Sequence, residues 1–277
     1  MNYIAAHLKV TPPKPGSEIL ISLLSEIGFE SFIETEDGLD AFIPVGQFDR
    51  ENFIDTIGSD FFTTQYSIEE IEHTNWNKMW EEQYEPVFLA ENCIIRAPFH
   101  ELERKYEYEI VIQPQMSFGT GHHPTTALMV KTMLNLDLVG KEILDMGSGT
   151  GVLAVLAEKL GAKRVLAIEI DSHASQNCKD NVELNNCIHI DVENGDSAMI
   201  KGGKFDVIFA NINLNVLLND LELYVESLRE GGQILLSGFY NNDEEQLIEP
   251  LKRLGLLEHS AKYIEHWTLL HFQKVKG

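Results

Sequence analysis

The chain has 277 residues, 44% of them hydrophobic, and a formal net charge of −23 at pH 7. That length holds one large domain or two unequal ones, and no apolar run approaches the ~20 residues of a bilayer-spanning helix, which excludes a helical membrane protein. The acidic excess excludes a protein that grips long stretches of nucleic acid through Lys and Arg, and it favours encounter with a basic partner.

The first residues, Met1-Asn2-Tyr3-Ile4, show no basic region ahead of an apolar core, so no secretory signal is expected. Residues 3–10 read as a strand, broken by Pro12-Pro13-Lys14-Pro15-Gly16. Ser17 is expected to cap a helix whose apolar stripe is Ile19, Leu20, Leu23, Leu24 and Ile27. Strands at 29–35 and 39–45 flank the turn Glu36-Asp37-Gly38, and a helix at 50–57 precedes a strand at 61–71. The order βαββαβ over residues 1–72 is that of a ferredoxin-like α+β domain. It holds no acid–base or metal constellation, so its expected work is recognition or packing. Residues 73–88 read as a linker helix carrying Trp76 and Trp80 and closed by Pro86.

Residues 89–277 make the second domain. Strands near 93–98 and 108–112 lead into the glycine-rich run 117–126, and a helix follows with Leu128, Val130, Met133, Leu134 and Leu136. From Gly140 the pattern alternates strand and helix, as a doubly wound parallel α/β sheet requires. Strands are expected near 142–145, 164–169, 187–192, 205–210 and 233–238, with antiparallel closing strands near 262–265 and 268–273. Cys93, Cys178 and Cys187 are an odd number without ligand spacing and read as reduced thiols of a cytoplasmic protein. The neighbours His122 and His123 point apart and lack further ligands, so no metal is expected.

The chemistry gathers at the strand ends. Asp145-Met146-Gly147-Ser148-Gly149-Thr150-Gly151 follows a strand and opens a helix whose N-terminus would offer free N–H groups, and Glu169 ends the next strand. A dinucleotide fingerprint spaces its glycines G-x-G-x-x-G; here Val152 occupies the third place and Asp145 would repel a pyrophosphate. The pattern suits a zwitterionic nucleoside, and S-adenosylmethionine has that chemistry. Asp145 would accept from its ammonium group, Gly147 and Gly149 would let the backbone come close, Glu169 would hold ribose hydroxyls and Asp196 would take the adenine amino group. Thr125 and Thr126 would cap their helix and meet the cofactor carboxylate. Asn211, ending the strand 205–210, would accept a bond from an amine and aim its lone pair at a methyl group, an alignment role that needs no proton chemistry. Phe118 would pack on the substrate stem.

Phe118-Gly119-Thr120-Gly121-His122-His123-Pro124-Thr125-Thr126, the 145–151 loop and Ala210-Asn211-Ile212 together resemble the ribosomal protein L11 methyltransferase (PrmA) family. The resemblance covers essentially the whole chain. It implies a doubly wound, mostly parallel Rossmann-like methyltransferase sheet behind a small substrate-recognition domain. It also implies S-adenosylmethionine-dependent methylation of lysine side chains and the N-terminal α-amine of a basic ribosomal protein at the large-subunit stalk base. Thr126, Gly147, Glu169 and Asn211 would be cofactor contacts, in a cytoplasmic monomer that does not itself bind nucleic acid. Gln115, Glu169 and Asn213-Leu214-Asn215 depart from the family pattern. The alternative is an N-methyltransferase acting on a glutamine amide or a nucleobase, which usually carries an N-P-P-aromatic turn where this chain has Asn211-Ile212-Asn213-Leu214.

Overall fold

The computed structural model describes residues 2–58, 62–71, 84–115 and 117–275. The chain divides into two compact units, Met1–Gln83 and Tyr84–Gly277. The linker tryptophans Trp76 and Trp80 lie outside the described residues.

In the small unit β1 (Tyr3–Thr11), α1 (Pro13–Glu26), β2 (Ser31–Thr35), β3 (Gly38–Pro44), α2 (Arg50–Ile57) and β4 (Thr63–Ile71) follow one another. The strands pair antiparallel in the order β2-β3-β1-β4, the ferredoxin-like arrangement. Period-two alternation puts Ile4, Ala6, Leu8 and Val10 of β1 into a core with Leu20, Leu24 and Phe53 of the helices. Asp49 caps α2, its carboxylate accepting from the amides of Glu51 and Asn52 at 2.9 and 3.1 Å. Ser17 is not the cap of α1. The preceding Lys14 is non-helical and Pro15 sets the helical φ after it, so Ser17 falls inside the first turns, buried and without a side-chain partner.

The large unit opens with a three-stranded sheet, β5 (Val87–Ala90), β6 (Cys93–Arg96) and β7 (Tyr108–Val111), followed by α3 (Pro124–Met133). Then come β8 (Glu142–Met146), α4 (Val152–Lys159), β9 (Arg164–Glu169), α5 (Ser172–Leu184), β10 (Ile190–Asn194) and β11 (Phe205–Asn211). The chain finishes with α6 (Leu214–Ser227), β12 (Leu228–Tyr240), α7 (Glu245–Arg253), β13 (Leu256–Ile264) and β14 (Trp267–Lys274). These strands form one seven-stranded sheet in the order β10-β9-β8-β11-β12-β14-β13, parallel throughout except for β14, which runs against both neighbours. Strand order reverses between β8 and β11, and the crevice above that switch point is where a doubly wound sheet binds its ligand.

Alternation along β8 sends Ile143 to one hydrophobic layer and Leu144 to the other, so both sheet faces are covered and α4 is almost wholly buried. At the opposite ends of β8 and β11, Arg229 bonds Asp206 at 3.0 Å and Glu142 at 2.8 Å and ties the two strands together. The third strand begins at Ile190 rather than 187, because Asn185 ends α5 and Asn186 takes a left-handed turn with φ 55°. Among the described residues no helix is long and apolar enough to cross a membrane.

Candidate active site

A cavity of about 1080 Å³ opens above the switch point. The ends of β8 and β9 contribute Met146, Gly147, Gly149, Ile168 and Glu169; β11 and the turn after it contribute Asn211 and Ile212. Phe118, His123 and Thr125 form a further wall with Trp267 of β14. Four carboxylates, Glu169, Asp171, Asp196 and Asp220, line it, and no Lys or Arg does among the described residues.

The glycine loop is internally satisfied. Gly147 and Ser148 donate to Ile168 O at 2.8 and 3.1 Å, Thr150 to Phe118 O at 2.9 Å and Gly151 to Ser148 O at 2.8 Å. Gly149 donates to the Glu169 Oε2 at 2.9 Å. Each amide of 147–151 is thus already bonded within the protein. A pyrophosphate would meet carboxylates and occupied amides, whereas a cation is welcome. Glu169 keeps both roles open: Oε1 takes the Asp171 amide at 3.0 Å, and each oxygen retains a lone pair for a hydroxyl.

Asp145 and Thr126 stand off the cavity wall. Asp145 is 1% exposed beneath the loop, its Oδ2 accepting from the Ala154 amide at 3.1 Å, so it supports the first turn of α4 and does not face an ammonium group directly. Its Oδ1 has no partner. Burial, with a smaller push from the Glu169 charge and against the pull of the Ala154 N–H, raises its pKa from 3.8 to about 7. A carboxyl whose folded pKa is raised favours folding at acid pH, and that contribution is lost as pH rises through about 7. Thermal melting should therefore fall from pH 5 to pH 8 in the wild type and much less in Asp145→Asn; parallel profiles would contradict this origin.

The residue that caps α3 is His123, with Pro124 at the first helical position, so Thr125 and Thr126 lie inside the first turn. His123 Nδ1 accepts from the Thr125 amide at 3.3 Å and meets the Thr125 hydroxyl at 2.8 Å. Burial holds its pKa below the ordinary imidazole value. Its ring meets Phe118 edge-on at 5.1 Å and Trp267 at 4.6 Å, and Tyr240 packs on Trp267 at 4.4 Å. His122 turns elsewhere, its ring bonding the Thr120 hydroxyl and Glu85 O. Asp196 caps a short turn through the Ala198 amide at 2.9 Å and still lines the cavity. Asn211 is 9% exposed, with Oδ1 buried and unpartnered, and Phe118 is half exposed on the same cavity.

A profile of the ribosomal protein L11 methyltransferase (PrmA) family matches residues 30–275. The chain belongs to the PrmA family. It is 42% identical over 263 residues to the ribosomal protein L11 methyltransferase of Phocaeicola vulgatus, covering 92% of this chain and 93% of that protein. The namesake from Porphyromonas gingivalis is 42% identical over 284 residues, 98% of each chain. The crystal structure of a ribosomal protein L11 methylase from Lactobacillus delbrueckii subsp. bulgaricus superposes with a TM-score of 0.64 at 28% identity, over 69% of this chain and all of that one.

PrmA enzymes are S-adenosylmethionine-dependent methyltransferases, and this cavity fits that cofactor. It has space for a nucleoside and an amino acid, carboxylates for a cationic ligand and apolar walls at Ile168, Ile170 and Val216 for a base. In this PrmA chain, sequence reasoning missed His123 as a cap, Trp267, Tyr240 and Gly238, and a row of asparagines on α5. Asn177, Asn181 and Asn185 recur every four residues and pair the backbone of Val111, the last residue of β7, and of Gln113 beyond it. Gln113 N donates to Asn181 Oδ1 at 2.8 Å, Val111 N to Asn185 Oδ1 at 2.9 Å, and Asn177 Nδ2 to Gln113 O at 3.2 Å. Asn181 Nδ2 also donates to Thr150 O at 2.9 Å, tying that segment to the glycine loop. The i, i+4, i+8 spacing of asparagines was the available signal. Asn181→Ala would leave a buried amide and carbonyl unpaired and should cost about 2–4 kcal/mol by urea unfolding; a loss within ~0.5 kcal/mol would show that water replaces the bonds.

Proposed function

We propose that this enzyme transfers methyl groups from S-adenosylmethionine to amino groups of ribosomal protein L11, on lysine side chains and at the N-terminal α-amine. The observation that carries the reading is the buried, unpartnered Asn211 Oδ1 at the end of β11, on the wall of a cavity that also bears Phe118, His123 and Trp267. An acceptor left unpaired in a buried site costs about 1–3 kcal/mol unless a ligand donor meets it, and an amine N–H is such a donor.

When bound, S-adenosylmethionine supplies a methyl carbon activated by a sulfonium leaving group. Asn211 Oδ1 accepts one N–H of the neutral amine and fixes the lone pair toward that carbon. The Asn211 carboxamide is no base, so the proton released from the amine on transfer would pass to water. Deprotonating a lysine of ordinary pKa at pH 7 costs about 4–5 kcal/mol. The ring edges of Phe118, His123 and Trp267 lower that cost by desolvating the ammonium form and by gripping the aliphatic stem. Glu169 takes ribose hydroxyls, Asp196 the adenine amino group, and the hydroxyls of Thr125 and Thr126 serve the cofactor carboxylate, Thr126 after a small shift of its buried side chain. Gly147 and Gly149 bring the loop backbone against the cofactor, with Asp145 bracing it from below.

The small unit holds the substrate protein, at the stalk base of the large subunit, and the segment between β4 and β5 links it to the catalytic unit; the expected linker helix over 73–88 gives way at Val87, where β5 begins. Its charge supports that role: 16 of the 44 acidic residues but only 4 of the 21 basic ones fall in Met1–Gln83. The same acidity supports a protein rather than RNA target. A ribosomal substrate supports the cytoplasm as its place of work. Intact-mass analysis of purified L11 incubated with enzyme and S-adenosylmethionine should show successive methyl increments. An unchanged mass, with cofactor bound and enzyme folded, would overturn the reading.

A further inference from the structure

Ile212 joins the two halves of the site. Its amide donates to Ser237 O at 3.1 Å, continuing the β11–β12 pairing one residue past Asn211. The β12–β14 pairing shifts register between Ser237 and Phe239, and that irregularity turns Gly238 toward the Ile212 backbone with φ +100°. A Cβ on Gly238 would stand 2.7 Å from the Ile212 carbonyl carbon and 2.9 Å from its nitrogen. On the other side, the Ile212 Cγ2 methyl fills the space that a Cβ on Gly147 would occupy. Ile212 is thus held from behind by Gly238 and leans forward onto the first glycine of the cofactor loop. Gly147, Asn211, Ile212 and Gly238 all line the one cavity.

We infer that Ile212 is a positioning residue: its β-branched Cγ2 methyl is the spacer that sets the distance between the cofactor loop at Gly147 and the amine-orienting carboxamide of Asn211. The contact is made by the branch at Cβ, so shape at that carbon matters more than side-chain volume. A β-branched side chain also has a restricted χ1, which suits a spacer. Misplacement of reacting groups by about 1 Å can cost about 100-fold in rate. This inference rests on the amine-orienting role given to Asn211 above.

The test compares four single variants, Ile212→Val, Ile212→Leu, Ile212→Ala and Gly147→Ala, with the double variant Gly147→Ala/Ile212→Ala, all in the full-length enzyme. Ile212→Val keeps the Cγ2 methyl while losing volume; Ile212→Leu keeps the volume and loses the methyl. The spacer role predicts kcat within about twofold of wild type for Val and at least about tenfold lower for Leu, with KM for S-adenosylmethionine little changed in both. A role in packing alone predicts the reverse order, since volume-conserving swaps are tolerated best. Gly147→Ala should weaken S-adenosylhomocysteine binding at least about tenfold, and adding Ile212→Ala should recover about fivefold or more of that loss. Leu performing as well as Val, or additive effects in the double variant, overturns the inference. The binding arm needs no acceptor protein, so it decides the spacer role even if L11 proves not to be the substrate. Melting curves on all variants separate these readouts from loss of fold.

Discussion

Asn211→Ala is expected to lower kcat by about 10²–10³-fold, the usual cost of removing one preorganised polar group from a reacting centre. The cofactor should still bind, because the glycine loop, Glu169 and Asp196 are held in place by bonds that do not involve residue 211. Stability should be unchanged or slightly raised. The Asn211 Oδ1 is buried without a partner in the free enzyme, so deleting it removes an unpaid desolvation rather than a bond. Asn211→Asp is the sharper variant. A carboxylate at this position would hold the incoming amine as an ammonium ion, which has no lone pair to attack with. It should bind the acceptor well and transfer nothing near neutral pH. Transfer by Asn211→Ala at the wild-type rate would remove Asn211 from the reacting centre.

Deleting Met1–Gln83 is expected to raise KM for intact L11 by about 100-fold or more while leaving cofactor affinity within about twofold, given what loss of a protein–protein anchor costs. The reason lies in how the cores are divided. Among the described residues, the small unit's hydrophobic cluster is built from positions between 4 and 68, and the large unit's two clusters from positions between 87 and 272. The large unit therefore keeps both layers of its sheet and the whole cavity after truncation. Short L11 peptides bearing the target lysine should be methylated about equally by the full and the truncated enzymes, which isolates docking from chemistry. Normal kcat/KM of the truncated enzyme on intact L11 would show that the small unit does not recognise the substrate.

The elements read most accurately from sequence are those whose burial is decided by their own residues. The strands at 142–146, 164–169 and 205–211 are continuous apolar runs because both sheet faces are covered, and they appear where expected. Strand β10 was displaced in the reading because it lies at the sheet edge, with no buried residue to mark it. Strand β5 escaped notice for a related reason: four residues long, with Phe88 exposed, it makes no pattern of its own. Within the site, Gly147, Gly149, Glu169, Asp196, Asn211, Phe118 and Thr125 all reach the cavity wall. They lie at strand ends or beside the glycine loop, where topology alone delivers them.

Asp145 and Thr126 lie one layer behind the cavity wall. Pattern shows that a residue ends a strand or opens a helix, but not whether the loop above it closes over the side chain. Trp267, Tyr240 and Gly238 could not be assigned from sequence, since they reach the site through the reversed strand β14 and the irregular pairing beside it. The capping role of His123 was hidden behind the hydroxyls of Thr125 and Thr126, which are stronger cap formers than imidazole.

The most direct test of the account is where the methyl goes. The purified enzyme would be incubated with methyl-labelled S-adenosylmethionine and the separated components of the large ribosomal subunit, its proteins and its RNA. The account predicts label in the L11 band alone, lost when Asn211 is replaced. Label confined to RNA, or spread over many proteins without preference, would contradict it.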